Sequence, residues 1–410
     1  MAGAVPGGRR PGGDPAGGRP ARRLHRPGGR IPADPAGRCG TVSLTPLGQR
    51  LAEVAASPEE PWEILAENVP VWPEPPRLQA VGSWDLDAQY APSQGTEELL
   101  EALRLRQREQ GIDVGAESLL VTNGAFDGLG LIARHLTGVG VRRAVCAGPV
   151  LLSVADLLRD VGLDVRVPDW PELVGGRSWS ALGPGDLLYL NSPHNPTGAC
   201  LDEATARDLF AAQRRLGFAL VLDLVYDAFV HDPAALAAPP ALVEDWRGVY
   251  GLNSFSKNYG APGLRVGWIT ADPQEVDRLT ARMEWERIAV STRAQSQAAQ
   301  LCKLGNQPLT ERVRAGHRLV LDWARANGMG VSPPQGGTHV WVEAGVPDTE
   351  ALADALMAEH RLVVTTSAHY HPAGSRHIRV PTGVEPAFLT RSLEAVSAVS
   401  ERLRRSAAVG

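Results

Sequence analysis

The stretch SFSKNYGAPGLRVGW, residues 254–268, contains Lys257, one of only two lysines in a chain of 410 residues. The other lysine is Lys303, and every other member of the 41 lysines and arginines is an arginine. Arginine can replace lysine wherever a surface positive charge is needed, but it cannot act as a primary amine that loses its proton and attacks a carbonyl. The retention of Lys257 therefore indicates a chemical role for its amine.

The bulk composition excludes several classes of protein. A hydrophobic content of 43% and a charged content of 21% are typical of a globular protein, and the length permits two domains. The net charge of −5 argues against nucleic acid as a general partner. No apolar run approaches the ~18 residues of a membrane span. Four cysteines without CxxC spacing indicate reduced thiols in a cytoplasmic protein and no zinc site.

Residues 1–40 differ in kind from the rest of the chain. They hold 11 glycines, 7 prolines and 8 arginines against 2 aspartates. Such a segment lacks the apolar residues that would offset the entropy lost on ordering. We predict a disordered tail here, or an extension upstream of the true start.

From about Pro92 onward, apolar strand patterns alternate with helical ones. The strands DLLYLNS (186–192) and ALVLDLVY (219–226), for example, flank the helical segment 202–217. This alternation predicts an α/β fold with a mostly parallel sheet that is covered on both faces.

The C-terminal part has a different pattern. We predict a long helical region at Thr292–Asn327, and after it a small α+β domain with helices at Thr349–His360 and Pro386–Arg405. After the predicted tail we expect three parts. An N-terminal segment at 41–90 contributes to the small domain and the substrate entrance. A large domain follows at 91–290, and the linking helix and the small domain occupy 291–410.

Four segments fall at predicted strand ends, where parallel sheets bind ligands. They are TNGA (122–125), NSPHNPTG (191–198), DLVYDAF (223–229) and the Lys257 segment. In order, spacing and residue type they resemble the pyridoxal-phosphate-dependent aminotransferases of class I/II, which have fold type I. The resemblance runs from about Gln89 to Arg379. It implies a seven-stranded-type sheet in the large domain, pyridoxal 5'-phosphate as cofactor, and an α-amino acid and a 2-oxo acid as substrates.

The resemblance also implies roles for residues around the cofactor ring. Lys257 matches the lysine that binds the cofactor as a Schiff base and then transfers the substrate proton. Asp223 matches the carboxylate that pairs with the protonated pyridine nitrogen, because a buried carboxylate needs a cation. Tyr226 and Asn195 match the two hydrogen-bond donors to the phenolic oxygen of the cofactor.

Further matches concern the phosphate group. Gly124, Ala125 and Phe126 form a strand-to-helix turn whose amides can bind an anion. Ser254 and Arg265 have the family's spacings from Lys257 for a hydroxyl and a guanidinium on the phosphate. The segment QYAPSQG (89–95) resembles the one whose tyrosine reaches the phosphate of the other subunit, which implies a homodimer with Tyr90 acting across the interface.

For the substrate, Arg379 matches the arginine that binds the α-carboxylate, with Asn195 beside it. One position departs from the family pattern, since Leu151 stands where an aromatic residue stacks on the cofactor ring. The segment around Trp62, Trp72 and Trp84 could instead supply an aromatic cover. The motif HYH (369–371) lacks a carboxylate-rich context, so we predict a loop near the substrate entrance there and no metal site.

Three functions fit these residues. The leading one is amino transfer between an α-amino acid and a 2-oxo acid. The second is a lyase, cyclase or oxidase reaction of an amino acid in a specialised pathway, because the same cofactor supports several reactions and the pocket selects among them. The third, a binding domain that has lost catalysis, is disfavoured by the retention of Lys257.

Overall fold

The structure is a computed structural model, and it describes residues 44–57, 61–80, 88–231, 239–372 and 375–409. The predicted disordered tail and Trp84 lie outside these residues.

The described strands are given in chain order: β1 Glu63–Ile64, β2 Leu119–Thr122, β3 Arg143–Cys146, β4 Val150–Leu151, β5 Asp164–Arg166, β6 Asp186–Asn191, β7 Ala219–Asp223, β8 Val249–Ser254, β9 Gly267–Thr270, β10 Gly330–Val331, β11 His339–Glu343, β12 Leu362–Val363, β13 Thr365–Thr366, β14 Tyr370–His371 and β15 His377–Pro381.

The described α-helices are α1 Pro46–Ala56, α2 Glu97–Glu109, α3 Ala125–Gly138, α4 Leu152–Asp160, α5 Glu203–Leu216, α6 Phe255–Asn258, α7 Pro273–Arg287, α8 Thr292–Leu304, α9 Gln307–Ala326, α10 Thr349–His360 and α11 Pro386–Val409.

Seven strands form the central sheet, in the order β2-β9-β8-β7-β6-β3-β5. β9 runs antiparallel to both of its neighbours, whereas the strands from β8 to β5 are mutually parallel. The predicted α/β fold with a seven-stranded, mostly parallel sheet is therefore observed.

Side chains that alternate along the central strands enter two different cores. In β6, Leu187 and Tyr189 join the core formed with α2, α3 and α4, whereas Leu188 and Leu190 join the core formed with α5. This alternation follows from the two-residue repeat of a strand, which points successive side chains to opposite faces. Because both faces are apolar and covered, the strand ends are the part of the sheet that is left to bind a ligand.

A second sheet has the order β10-β11-β15-β13 and is antiparallel throughout. Residues from α9, α10 and α11 pack with it in a separate core. β14 leaves this region and pairs with β4, so that Tyr370 lies opposite Leu151. This short ladder brings residues near 370 next to the residues that follow β3.

The predicted long helix at Thr292–Asn327 is wrong in one respect, since the structure has two helices there. α8 ends at Gly305, which has a φ of +79°, and α9 begins after Asn306 with Pro308 in its first turn. Glycine adopts this positive φ without a steric cost, and proline favours a helix start. Among the described helices, none has both the length and the apolar character needed to cross a membrane.

Candidate active site

Three neighbouring parallel strands end at the same cavity. β6 ends at Asn191, β7 at Asp223 and β8 at Ser254, and all three residues line a cavity of about 270 Å³. Lys257 follows β8 on the single turn of α6 and also lines the cavity. The strand-end segments predicted from the sequence therefore meet at one place.

Lys257 is half-buried at the cavity. Burial lowers the pKa of its amine to about 7, and the positive charges of Arg379 and Arg265 act in the same direction, whereas Glu67 opposes them. Desolvation and like charges both disfavour an ammonium, so a large share of the amine is uncharged at neutral pH. An uncharged amine is the form that attacks an aldehyde.

Asp223 lies on the neighbouring strand, and its carboxylate is held by two hydrogen bonds. The Tyr189 hydroxyl donates to Asp223 Oδ2 at 2.5 Å, and the Val225 amide donates to Asp223 Oδ1 at 3.2 Å. Burial raises the pKa of Asp223 to about 6, although both hydrogen bonds oppose the shift. Among the described residues no cation pairs with this carboxylate, which suits it to a protonated ring nitrogen.

Tyr226 is buried with its hydroxyl next to Asn68. The Asn68 side-chain amide donates to Tyr226 Oη at 3.1 Å, and its carbonyl accepts a hydrogen bond from Thr338 at 2.8 Å. Burial raises the pKa of Tyr226 above its usual value. Because Asn68 uses a lone pair of the Tyr226 oxygen, the hydroxyl proton of Tyr226 remains available for donation to a ligand.

Arg379, Tyr370 and Asn195 form a connected group. Arg379 donates through Nη1 to Tyr370 Oη at 2.9 Å, and Tyr370 in turn donates to Asn195 Oδ1 at 2.9 Å. Arg379 Nη2 donates to the Ala66 carbonyl at 2.6 Å, whereas the buried Arg379 Nε has no partner. No carboxylate of the described residues forms an ion pair with Arg379. A buried guanidinium without a counter-ion fits the carboxylate of a substrate.

Asn195 is positioned by the end of β6. The Asn191 side-chain oxygen accepts from the Asn195 backbone amide at 2.8 Å, and the Asn191 amide donates to the Asp223 carbonyl at 2.9 Å. Asn191 therefore fixes the loop that follows β6 against the end of β7. Since Asn195 Oδ1 accepts from Tyr370, its Nδ2 group is left to donate to a ligand.

The turn after β2 meets Arg265 closely. Gly124 has a φ of +88°, and a Cβ added there would lie 2.6 Å from Arg265 Nη2. Arg265 also donates to the Asn123 carbonyl at 3.3 Å, and Ala125 begins the 14-residue helix α3. A guanidinium and a helix start that face the same cavity suit an anion such as phosphate. Ser254 and Ser256 complete this group, with their hydroxyls 3.0 Å apart.

The cavity therefore fits pyridoxal phosphate at three separate points. It offers an amine for the aldehyde, a carboxylate without a cation for the ring nitrogen, and a cationic turn for the phosphate. Each point is defined by a polar group that lacks a charge partner among the described residues.

The apolar wall of the cavity contains Leu151, Val154 and Phe126. Trp72 donates through its indole to the Tyr259 carbonyl at 2.8 Å, and Trp62 packs with α1 and α10, so neither tryptophan lines this cavity. Leu151 thus remains the candidate for the position that faces the cofactor ring. Tyr90 is 81% exposed in the single chain.

Sequence reasoning missed four residues of the site, namely Ser256, Tyr189, Asn68 and Tyr370. Ser256 precedes Lys257 directly, and Tyr189 lies two residues before Asn191 on the same strand, so both could have been found from spacing. Tyr370 belongs to the HYH motif, for which the sequence predicted a loop near the substrate entrance but no role for the tyrosine. Among the described residues no group of metal-ligating side chains is found.

We expect Leu151→Phe to tighten the binding of pyridoxal phosphate by about 2- to 10-fold, because an aromatic ring stacked on the pyridine adds roughly 0.5–1.5 kcal/mol. The dissociation constant is measured by absorbance titration. Leu152→Phe is the matched control, since Leu152 does not line the cavity, and it should leave the constant unchanged. Weaker binding by Leu151→Phe would show that another group already covers the ring.

Comparison with known proteins agrees with this geometry. Residues 76–396 match the family described as aminotransferase class I and II. The chain is 98% identical over 369 residues to the 3-methylarginine biosynthesis aminotransferase ArgM of Streptomyces arginensis, a match that covers 90% of this chain and 100% of that protein. It is 34% identical over 372 residues to the L-aspartate:5-guanidino-3-methyl-2-oxopentanoate transaminase of Pseudomonas syringae, which covers 88% and 95% of the two chains.

Among solved structures, the aspartate aminotransferase of Rhizobium meliloti has the same fold, with a TM-score of 0.74 at 20% identity over 90% of this chain and 99% of the other. The predicted fold type, the pyridoxal phosphate cofactor and amino transfer between an amino acid and a 2-oxo acid are confirmed. Of the three functions left open by the sequence, amino transfer is the one that the relatives support. The chain belongs to the class I and II aminotransferases.

Proposed function

We propose that this aminotransferase adds the amino group to 5-guanidino-3-methyl-2-oxopentanoate and so forms 3-methylarginine, with L-aspartate as the amino donor. The single observation that carries the substrate assignment is the 98% identity to the full length of a relative named for 3-methylarginine biosynthesis. The acceptor and the donor are those in the name of the relative at 34% identity.

In this proposal Arg379 binds the α-carboxylate that donor and acceptor share. Its guanidinium is held from one side by the Ala66 carbonyl and from the other by Tyr370. These contacts restrict its rotation, so the substrate carboxylate meets a preorganised cation. Asn195 lies next to this carboxylate and contributes its Nδ2 group.

Lys257 Nζ acts as the base that removes the proton from the substrate Cα. When bound, pyridoxal phosphate supplies an aldehyde that exchanges with the amino group and a ring that withdraws electrons from the Cα. A pKa of about 7 lets the Lys257 amine accept a proton and release it again near neutral pH.

Asp223 and Tyr226 hold the ring of the cofactor from two sides. With a pKa of about 6, Asp223 is largely ionised at neutral pH and can pair with a protonated ring nitrogen. Tyr226 keeps its proton, since its pKa is raised, and donates it in a hydrogen bond to the phenolic oxygen. Gly124, Ala125, Ser254 and Arg265 bind the phosphate, with Phe126 and Leu151 as apolar neighbours.

The proposal includes a homodimer in which Tyr90 reaches the phosphate site of the other subunit. In the single chain three large apolar side chains are exposed, namely Phe126 at 44%, Trp285 at 74% and Ile288 at 45%, and Phe126 also lines the cavity. An ion pair between Asp127 and Arg287 at 2.5 Å joins the start of α3 to the end of α7, which brings these side chains to one region. An exposed apolar surface of this kind is typical of a subunit interface.

The domain limits at 90 and 290 remain part of the proposal. A small domain with an N-terminal contribution is supported by the separate core that α9, α10 and α11 form with the second sheet and Leu65. Ala298 and Leu301 of α8 pack instead in the core of the large domain, so α8 belongs to the linking region. A cytoplasmic location is supported by the free thiols of Cys146 and Cys302, since reducing compartments maintain thiols.

The substrate assignment is tested with purified enzyme, pyridoxal phosphate, L-aspartate and 5-guanidino-3-methyl-2-oxopentanoate. We expect 3-methylarginine in the mass spectrum only when both substrates are present. Lys257→Arg should lower the rate by roughly 1,000-fold or more, because arginine cannot supply an uncharged primary amine. The matched control is Lys303→Arg, which alters only an exposed lysine paired with Glu98 at 2.8 Å, and its rate should equal that of the wild type. Product formed from one substrate alone would contradict amino transfer.

For the interface we expect Tyr90→Phe to weaken the binding of pyridoxal phosphate by about 10- to 100-fold, the effect of one hydrogen bond to a charged acceptor. Cofactor affinity is measured by absorbance titration, and the oligomeric state by sedimentation. The variant should remain a dimer, since only one hydroxyl is lost. A fully active monomer of the wild type would refute the role of Tyr90 across the interface.

A further inference from the structure

Glu67 lies between two residues that contact the active site. The Ala66 carbonyl accepts from Arg379 at 2.6 Å, and the Asn68 amide donates to Tyr226 at 3.1 Å. The main chain on either side is fixed as well, because the Leu65 amide donates to the Val363 carbonyl at 2.9 Å and the Val71 amide to the Gly383 carbonyl at 2.8 Å. Glu67 therefore sits on an ordered segment beside the residue that binds the substrate carboxylate.

The side chain of Glu67 is exposed, whereas Ala66 and Asn68 are buried. None of the described residues forms a hydrogen bond or an ion pair with its carboxylate. Its charge nevertheless acts on Lys257, where it opposes the effect of Arg379 and Arg265. Glu67 is thus an anion without a partner among the described residues, and its two neighbours in the chain contact Arg379 and Tyr226.

The charged groups around the substrate site differ in what they can bind. Arg379 suits the α-carboxylate, and Arg265 suits the phosphate of the cofactor. Neither can bind a positively charged side chain. A 2-oxo acid with a guanidinium at its far end needs a protein carboxylate there while Arg379 holds its α-carboxylate. Two parallel N–H···O bonds can then join the substrate guanidinium to the protein carboxylate.

We propose that Glu67 binds the guanidinium of the 2-oxo acid and so selects substrates with a cationic side chain. This inference rests on the proposed function. None of the site residues predicted from the sequence binds the guanidinium end of the substrate, and Glu67 fills that role. An uncharged 2-oxo acid of similar length would leave the carboxylate without a partner and gain nothing from it.

The test compares two acceptors, 5-guanidino-3-methyl-2-oxopentanoate and the uncharged 2-oxohexanoate, by the ratio of their kcat/KM values. We expect Glu67→Gln to lower this ratio by roughly 10- to 100-fold, because the anionic acceptor of the guanidinium becomes a neutral amide. Glu67→Asp keeps the charge on a shorter side chain and should give an intermediate ratio. The control is Glu63→Gln, which removes the same charge four residues earlier, where Glu63 pairs with Arg391 at 3.2 Å. Its ratio should equal that of the wild type.

The outcomes separate this inference from the proposed function. A wild-type enzyme that does not aminate the guanidino acid overturns the proposed function. A wild-type enzyme that does so, with Glu67→Gln retaining the same ratio within twofold, overturns the role of Glu67 alone. Equal losses for both acceptors would also overturn it, because they would show that Glu67 acts only through the charge of Lys257.

Discussion

The surroundings of Lys257 favour its neutral amine over the ammonium form, and the chemistry of the whole site depends on that neutral amine. The amine is half-buried where three parallel strands end, and two arginines add their charges to the cost of burial. An amine in this position loses its proton near pH 7, whereas an exposed lysine keeps it to about pH 10. Lys303 is the only other lysine of the chain, and arginine can supply a surface positive charge but not a primary amine.

The other charges of the site are arranged around that amine according to what each must bind. The carboxylate of Asp223 lies where a cationic ring nitrogen is expected, and the guanidinium groups of Arg265 and Arg379 lie where a phosphate and a carboxylate are expected. In each case no described residue forms an ion pair with the charge, which costs stability but makes the ligand the partner. Glu67 extends this arrangement to the far end of the substrate, where its negative charge faces the substrate guanidinium.

The sequence allowed prediction of the elements whose signals are local. Strands β6, β7 and β8 are apolar runs, and the polar residues that follow them could be placed together because parallel strands end at one edge of a sheet. Contacts between distant residues could not be predicted in this way. Asn68 and Tyr226 are 158 positions apart, and Tyr370 and Asn195 are 175 apart. No periodicity links such pairs, because they meet only when segments distant in sequence pack together in the fold. The break between α8 and α9 was missed for a different reason, since the apolar pattern continues across Gly305.

All of these roles require Lys257 to hold the cofactor covalently. The most direct measurement is borohydride reduction of the enzyme with bound pyridoxal phosphate, followed by mapping of the modified peptide by mass spectrometry. We expect a single modified site, at Lys257 in the peptide that contains SFSKNYGAPGL. A modification at Lys303 instead, or an enzyme that turns over its substrates with no lysine modified, would contradict it.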